Sequence, residues 1–208
     1  MDFGKYWRGG WGLHEIVLKH IASISVDKRV RNVVEFGSGA STQFLVDLRN
    51  ELAMDYSITS FDHNPNYSYK GSHPNLSVKI RDLVTCDDAS FKKMFETKKI
   101  HNELFVKVSK DRNTESRIEN SFYDIGEGDM PDGVDLVILD GPFGNGRSFA
   151  FLHLLEKLSD EAYIVIDDSD HYDFIERCCN VLGATLMVHE DHPEIHSRFN
   201  FAILKVQK

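Results

Sequence analysis

Cysteine, net positive charge and long apolar runs are all scarce in this chain of 208 residues. The cysteines number three, and two of them, Cys178 and Cys179, are adjacent, with Cys86 far away. That count and spacing exclude a disulfide framework and a cysteine metal site. The adjacent pair reads as small, semi-buried helix residues. Basic residues number 24 against 33 acidic ones, for a formal charge of −9. Such a field repels phosphate backbones, and no basic stripe interleaved with aromatics offsets it. The short lysine run from Lys92 to Lys99 reads as a solvated helix face. No apolar run approaches the roughly 20 residues that span a bilayer, and the first residues lack the apolar core of a signal peptide. A soluble, cytoplasmic protein of a reducing compartment is expected, with neither nucleic acid nor membrane as partner.

What the chain does have is room for one substantial core, since 41% of its residues are apolar. One domain over 1–208 is therefore expected, with 1–29 as an N-terminal lid and helix and 97–132 as a variable insertion. Apolar spacing predicts helices at 13–24, about 41–52, 88–96, 148–158 and 173–182. Strands are predicted at 30–36, 57–62, 76–80, 134–140 and 162–168, with a closing antiparallel pair at 185–189 and 199–206. The run Val134 to Asp140 is almost continuously apolar, as in a strand covered on both faces. This alternation implies an α/β fold: a Rossmann-like, doubly wound, mostly parallel sheet with helices on both faces and a C-terminal hairpin.

The most informative stretch is Val33-Val34-Glu35-Phe36-Gly37-Ser38-Gly39-Ala40-Ser41-Thr42. A β-branched run ends in an acid, and a glycine turn then opens a helix, so a ligand can approach the backbone at Gly37 and Gly39. An acid there suits a ligand with ammonium or hydroxyl groups better than a pyrophosphate, which points to S-adenosylmethionine rather than NAD. Five predicted strands end in acids: Glu35, Asp62, Asp82, Asp140 and the pair Asp167-Asp168. Aspartate also caps turns and helices for purely local reasons. Five at one edge of a parallel sheet nevertheless mark the crevice where ligands bind.

In the order of these motifs, Val33 to Asp168 resembles the class I S-adenosylmethionine-dependent methyltransferases. The resemblance implies a cofactor site of Glu35, Gly37, Ser38, Gly39, Ser41, Thr42, Asp62, His63, Asp82, Leu83 and Asp140. In it Asp62 accepts from the ribose hydroxyls, His63 flanks the adenosine, and Asp82 and Leu83 meet the adenine. Ser41 stands where many members have a third glycine. Asp140, Asp167 and Asp168 together resemble the cation site of metal-dependent O-methyltransferases, both the catechol type and the type acting on antibiotic sugars. Oxygen ligands of that kind suit Mg²⁺ or Mn²⁺. The loop Asp140-Gly141-Pro142-Phe143-Gly144-Asn145-Gly146-Arg147 is locally similar to the glucuronoxylan 4-O-methyltransferase group.

The implied reaction is methyl transfer to a hydroxyl, of a sugar or glycan, with a divalent cation at the three aspartates lowering the hydroxyl's pKa. His171 is the candidate base, although Phe143 occupies the position where relatives place a lysine or histidine. Arg147 either clamps the acceptor or stabilises its own loop. Tyr6, Trp7 and Trp11 form either a lid or a hydrophobic dock for the first helix. His189, His192 and His196 read as a polar hairpin loop. The alternatives are a methyltransferase of the same fold acting on a phenol, nitrogen or protein acceptor, and a non-catalytic nucleotide-binding module. A homo-oligomer, or fusion to other glycan-modifying domains, stays open.

Overall fold

The structure, a computed structural model, describes residues 1–7, 12–109, 118–192 and 199–208. A short helical turn, Gly4–Tyr6, precedes α1 (Glu15–Asp27). Then follow β1 (Asn32–Phe36), α2 (Ala40–Glu51), β2 (Ser57–Asp62), β3 (Leu76–Ile80), β4 (Leu83–Thr85) and α3 (Asp88–Thr97). The second half holds β5 (Val106–Lys107), β6 (Ser121–Tyr123), β7 (Val134–Leu139), α4 (Phe149–Leu154), β8 (Leu158–Asp167), α5 (Phe174–Leu182), β9 (Thr185–His192) and β10 (Phe199–Gln207). Seven strands form one sheet in the order β3-β2-β1-β7-β8-β10-β9. Its first five members run parallel, and β10 and β9 close it as an antiparallel pair.

Strand alternation explains how a continuous apolar run fills two cores. Val33, Leu136, Ile138, Val165 and Ile203 point to the face covered by α1 and α2. Their neighbours Val34, Val137, Leu139, Ile164, Ile166 and Leu204 point to the face covered by α3, α4 and α5. The doubly wound expectation holds. Tyr6 is buried on the first of these faces, edge-on to Phe44 at 5.3 Å, and its hydroxyl donates to Asp47 Oδ2 at 2.7 Å. This part of the N-terminus docks on α2, whereas Trp11 lies outside the described residues. The described cysteines are all free, and no described helix is long and apolar enough to cross a membrane.

Three details depart from expectation. The helix after β7 stops at Leu154, and β8 begins at Leu158 rather than at 162. The extra strand length is held by Leu158 against Val134 and by Glu161 against Gln207. Second, β4, β5 and β6 make a separate three-stranded antiparallel sheet, into which the weakly patterned stretch 97–132 feeds two strands. Third, His189 lies within β9 rather than in a loop, and His196 is outside the described residues.

Candidate active site

The carboxyl ends of β1, β2, β7 and β8 meet at one crevice, and the sequence there explains their geometry. Gly37 has φ +104°, a left-handed conformation, and a Cβ on it would lie 2.9 Å from the Gly141 nitrogen. A Cβ on Gly141 would in turn meet the Tyr123 hydroxyl at 2.7 Å and Gly37 Cα at 3.0 Å. The turns after β1 and β7 therefore touch through bare backbone, and the Asp140 and Gly141 N–H groups both donate to the Phe36 carbonyl. Gly37→Ala is expected to cost about 2–4 kcal/mol, read by urea unfolding. A variant as stable as the parent would show that the two turns are free to separate.

Under the turn lies a buried polar knot. Glu35 is fully buried and opposite Ser60 in the β1–β2 register. Its Oε2 accepts from Thr42 Oγ1 at 2.5 Å and from Ser60 Oγ at 2.6 Å, while Oε1 has no hydrogen-bond partner among the described residues. Thr42 Oγ1 accepts the Gly39 N–H at 3.0 Å, and its hydroxyl lies 3.1 Å from that of Ser38. Burial pushes the Glu35 pKa up to about 7, against the opposing pull of the Ser41, Ser60 and Thr42 hydroxyls. Glu35, Ser41 and Thr42 thus shape the turn from below. At 0%, 4% and 0% exposure they have no surface to offer a cofactor, which corrects their expected contact role. Ser41, the departure from a third glycine, faces this carboxyl.

Asp62, at the end of β2, takes the Ser38 N–H on Oδ2 at 3.1 Å and the Asn64 N–H on Oδ1 at 2.8 Å. Burial raises its pKa, and these backbone donors and His63 pull it back. His63 Nδ1 lies 3.6 Å from Asp62 Oδ1. The Tyr69 N–H donates to Ser38 Oγ and ties the loop after β2 over the turn. Asp82 is exposed, and its carbonyl receives the Asp124 N–H. Leu83 is buried in β4 opposite Tyr123, and its carbonyl takes the Val108 N–H.

Across the crevice stand Asp140 and Asp167. Burial raises both pKa values, Asp167 well above the carboxylate range; the Asp140 and Asp168 charges add to the rise at Asp167, whereas Arg147 pulls Asp140 back. Arg147 supplies the counter-charge. It is 3% exposed, with Nε donating to the Pro142 carbonyl at 3.1 Å, Nη1 to that of Asp167 at 2.8 Å and Nη2 to that of Asp140 at 2.6 Å. All three of its nitrogens donate to backbone and the side chain is buried, so it stabilises the loop.

Asp168 sits in the left-handed region at φ +51° and faces His171 Nδ1 at 3.8 Å. Asn200 of β10, buried, holds this bend: its carbonyl takes the Asp168 N–H, its Oδ1 accepts from Ser169 Oγ and the Asp170 N–H, and its Nδ2 donates to Asp170. His171 is about one-third exposed, between Asp168 and Asp170, with the Phe143 ring 6.3 Å away. The expected cation site does not fit this arrangement. Asp168 turns to His171, and among the described residues no group of three carboxylate, histidine or cysteine ligands is placed to hold a metal.

A profile of the methyltransferase-domain family matches residues 34–169, well over half of the chain. The chain belongs to that family. No curated protein matches this chain by sequence. Among solved structures it is similar to the O-methyltransferase TomG of Streptomyces achromogenes, involved in tomaymycin synthesis and solved with S-adenosylmethionine. The two are 12% identical, with a TM-score of 0.57 over 100% of this chain and 91% of that one. A precorrin-6y C5,15-methyltransferase of Geobacter metallireducens aligns at 12% identity and TM-score 0.51, over 100% and 97% of the two chains. An S-adenosylmethionine-dependent O-methyltransferase of Thermotoga maritima aligns at 10% and 0.50, over 95% and 67%. At such identities the likeness is one of fold. Tyr123 and Asn200, which shape the methyltransferase crevice, escaped the sequence reading: Tyr123 lies on a three-residue strand, and Asn200 interrupts an apolar one.

Proposed function

We propose that this methyltransferase transfers the methyl group of S-adenosylmethionine to a hydroxyl oxygen, with a sugar as the preferred acceptor class. The observation that carries the reading is the convergence of the glycine turn, Asp62 and Asp140 on one crevice of a methyltransferase-domain chain, with Asp62 and Asp140 close enough to feel each other's charge. Space is open at Gly39, where a Cβ would meet nothing within 4 Å. α2 begins beside it at Ala40, whose backbone N–H suits a carboxylate. Asp62 keeps lone pairs for ribose hydroxyls beyond those its two backbone donors use, and the Asp140 carboxyl is offered to the cofactor's ammonium.

When bound, the cofactor supplies an electrophilic methyl group. His171 takes the acceptor's hydroxyl proton, and the Asp168 and Asp170 carboxylates on either side stabilise the resulting imidazolium. Phe143 and His171, each about one-third exposed, form an aromatic rim on which an apolar sugar face can rest. No step is assigned to a cation, because the aspartates do not converge as ligands. Asp62→Ala is expected to weaken S-adenosylhomocysteine binding by about tenfold to a hundredfold, the worth of one or two charge-assisted hydrogen bonds. Titration calorimetry on the parent and Asp62→Asn completes the test. No binding to the parent would end the cofactor reading, and full affinity in Asp62→Ala would remove Asp62 from the site. Methyl transfer to a glycan panel, with and without chelator, then tests the acceptor.

A further inference from the structure

At the amino ends of β1 and β2, opposite the crevice, an open groove of about 790 Å³ runs between the last turns of α1 and α2. Val26, Leu52 and Met54 supply its apolar part, with Val26 at 49% and Leu52 at 52% exposure. Both walls are fixed. Each helix is followed by a left-handed residue, Arg29 at φ +51° and Ala53 at φ +49°. The next residue then bonds back into the helix, the Val30 N–H to the Ser25 carbonyl and the Met54 N–H to that of Arg49. Docking on such walls orders little backbone, so little entropy opposes it.

Charge is divided between the two walls. Arg29 and Arg31 are exposed on the α1 side, and among the described residues neither guanidinium forms an ion pair. Asp55 stands on the α2 side, and its side chain is 96% exposed despite the contact with Arg49 at 3.1 Å. A two-fold axis through the groove matches this pattern to itself. In an isologous contact each wall meets the opposite wall of the other copy, so the arginines of each chain face the other's Asp55 around a shared apolar centre. A charge of −9 on each chain opposes most encounters of two copies, whereas this face meets the second copy with uncommitted cations. We propose that the groove is the interface of a symmetric homodimer. Arg31 leads into β1 and Asp55 into β2, so pairing there leaves both crevices open.

Sedimentation velocity of the full chain over a concentration series tests this. A reversible dimer is expected. Leu52→Glu sets a carboxylate in the apolar centre from both copies and is expected to weaken the dimer at least about a hundredfold. Arg31→Asp and Asp55→Arg are each expected to weaken it at least about tenfold, because like charges then meet twice. Mixed in equal amounts, these two variants are expected to dimerise again, since opposite charges then face each other at both ends of the contact. The proposal is overturned if the parent stays monomeric, which would leave the groove to another partner. It is also overturned if the dimer withstands Leu52→Glu, or if the two charge variants associate no better together than apart. The parent series and Leu52→Glu decide the first two points even if a charge variant folds poorly, which circular dichroism shows.

Discussion

Arg147→Ala is expected to destabilise the fold by about 3–5 kcal/mol, the cost of breaking a buried charged network by removing one partner. The guanidinium joins the ends of two neighbouring strands, β7 through the Asp140 carbonyl and β8 through that of Asp167, and pins the loop at Pro142. Alanine would leave three carbonyls without these donors and would remove the cation that offsets Asp140, whose pKa would rise further. The guanidinium also lies 5.6 Å from the Phe174 ring, a contact that would be lost as well. Arg147→Lys keeps the charge, but a single ammonium cannot reproduce a planar fork directed at three acceptors, so only part of the loss is recovered. Urea unfolding of the three proteins measures this. An alanine variant within about 1 kcal/mol of the parent would mean that water replaces the arginine and that the crevice wall does not depend on it.

The contrast between Arg147 and the glycine turn shows which features could be read from sequence. Strands β1, β2, β7 and β8 announce themselves because each buries both faces and ends in an acid. The turn at Gly37 follows from adjacent residues alone. Arg147 lies in a recognisable loop, yet the acceptors that consume it belong to residues 5, 7 and 20 positions away. Composition cannot distinguish such a clamp from a substrate ligand. The second sheet was invisible for a different reason. Its strands are two or three residues long, too short to show a period, and β4 pairs with segments more than 20 residues downstream. Tyr123 enters the site from there. Asp140, Asp167 and Asp168 are visible in the sequence as strand-end acids, but their disposition is not: Asn200, on β10, holds the bend after β8 that sets Asp168 beside His171.

Glu35→Gln is expected to gain stability relative to the parent as pH rises, by roughly 3 kcal/mol between pH 4 and pH 8.5. The sign follows from a carboxyl whose pKa is raised on folding, from 4.5 to about 7. Below 4.5 the group is protonated in both states and adds no pH dependence. Between 4.5 and 7 the unfolded chain releases its proton while the folded chain keeps it, so parent stability falls as pH rises. Above 7 both states are ionised, and the folded protein carries the full cost of a buried carboxylate whose Oε1 has no partner among the described residues. Glutamine does not titrate, and its carbonyl can still accept from Thr42 and Ser60. Its amide occupies the place of the unpartnered oxygen and adds a constant cost, which is why the change in ΔΔG with pH is the informative quantity. Urea midpoints for both proteins across this range provide the test, and a ΔΔG that stays flat with pH would show that folding does not raise the Glu35 pKa. The same proton bears on the turn above it: ionised Glu35 places a second negative charge behind Asp140, so it strengthens the crevice's preference for a cationic ligand group while weakening the fold that presents it.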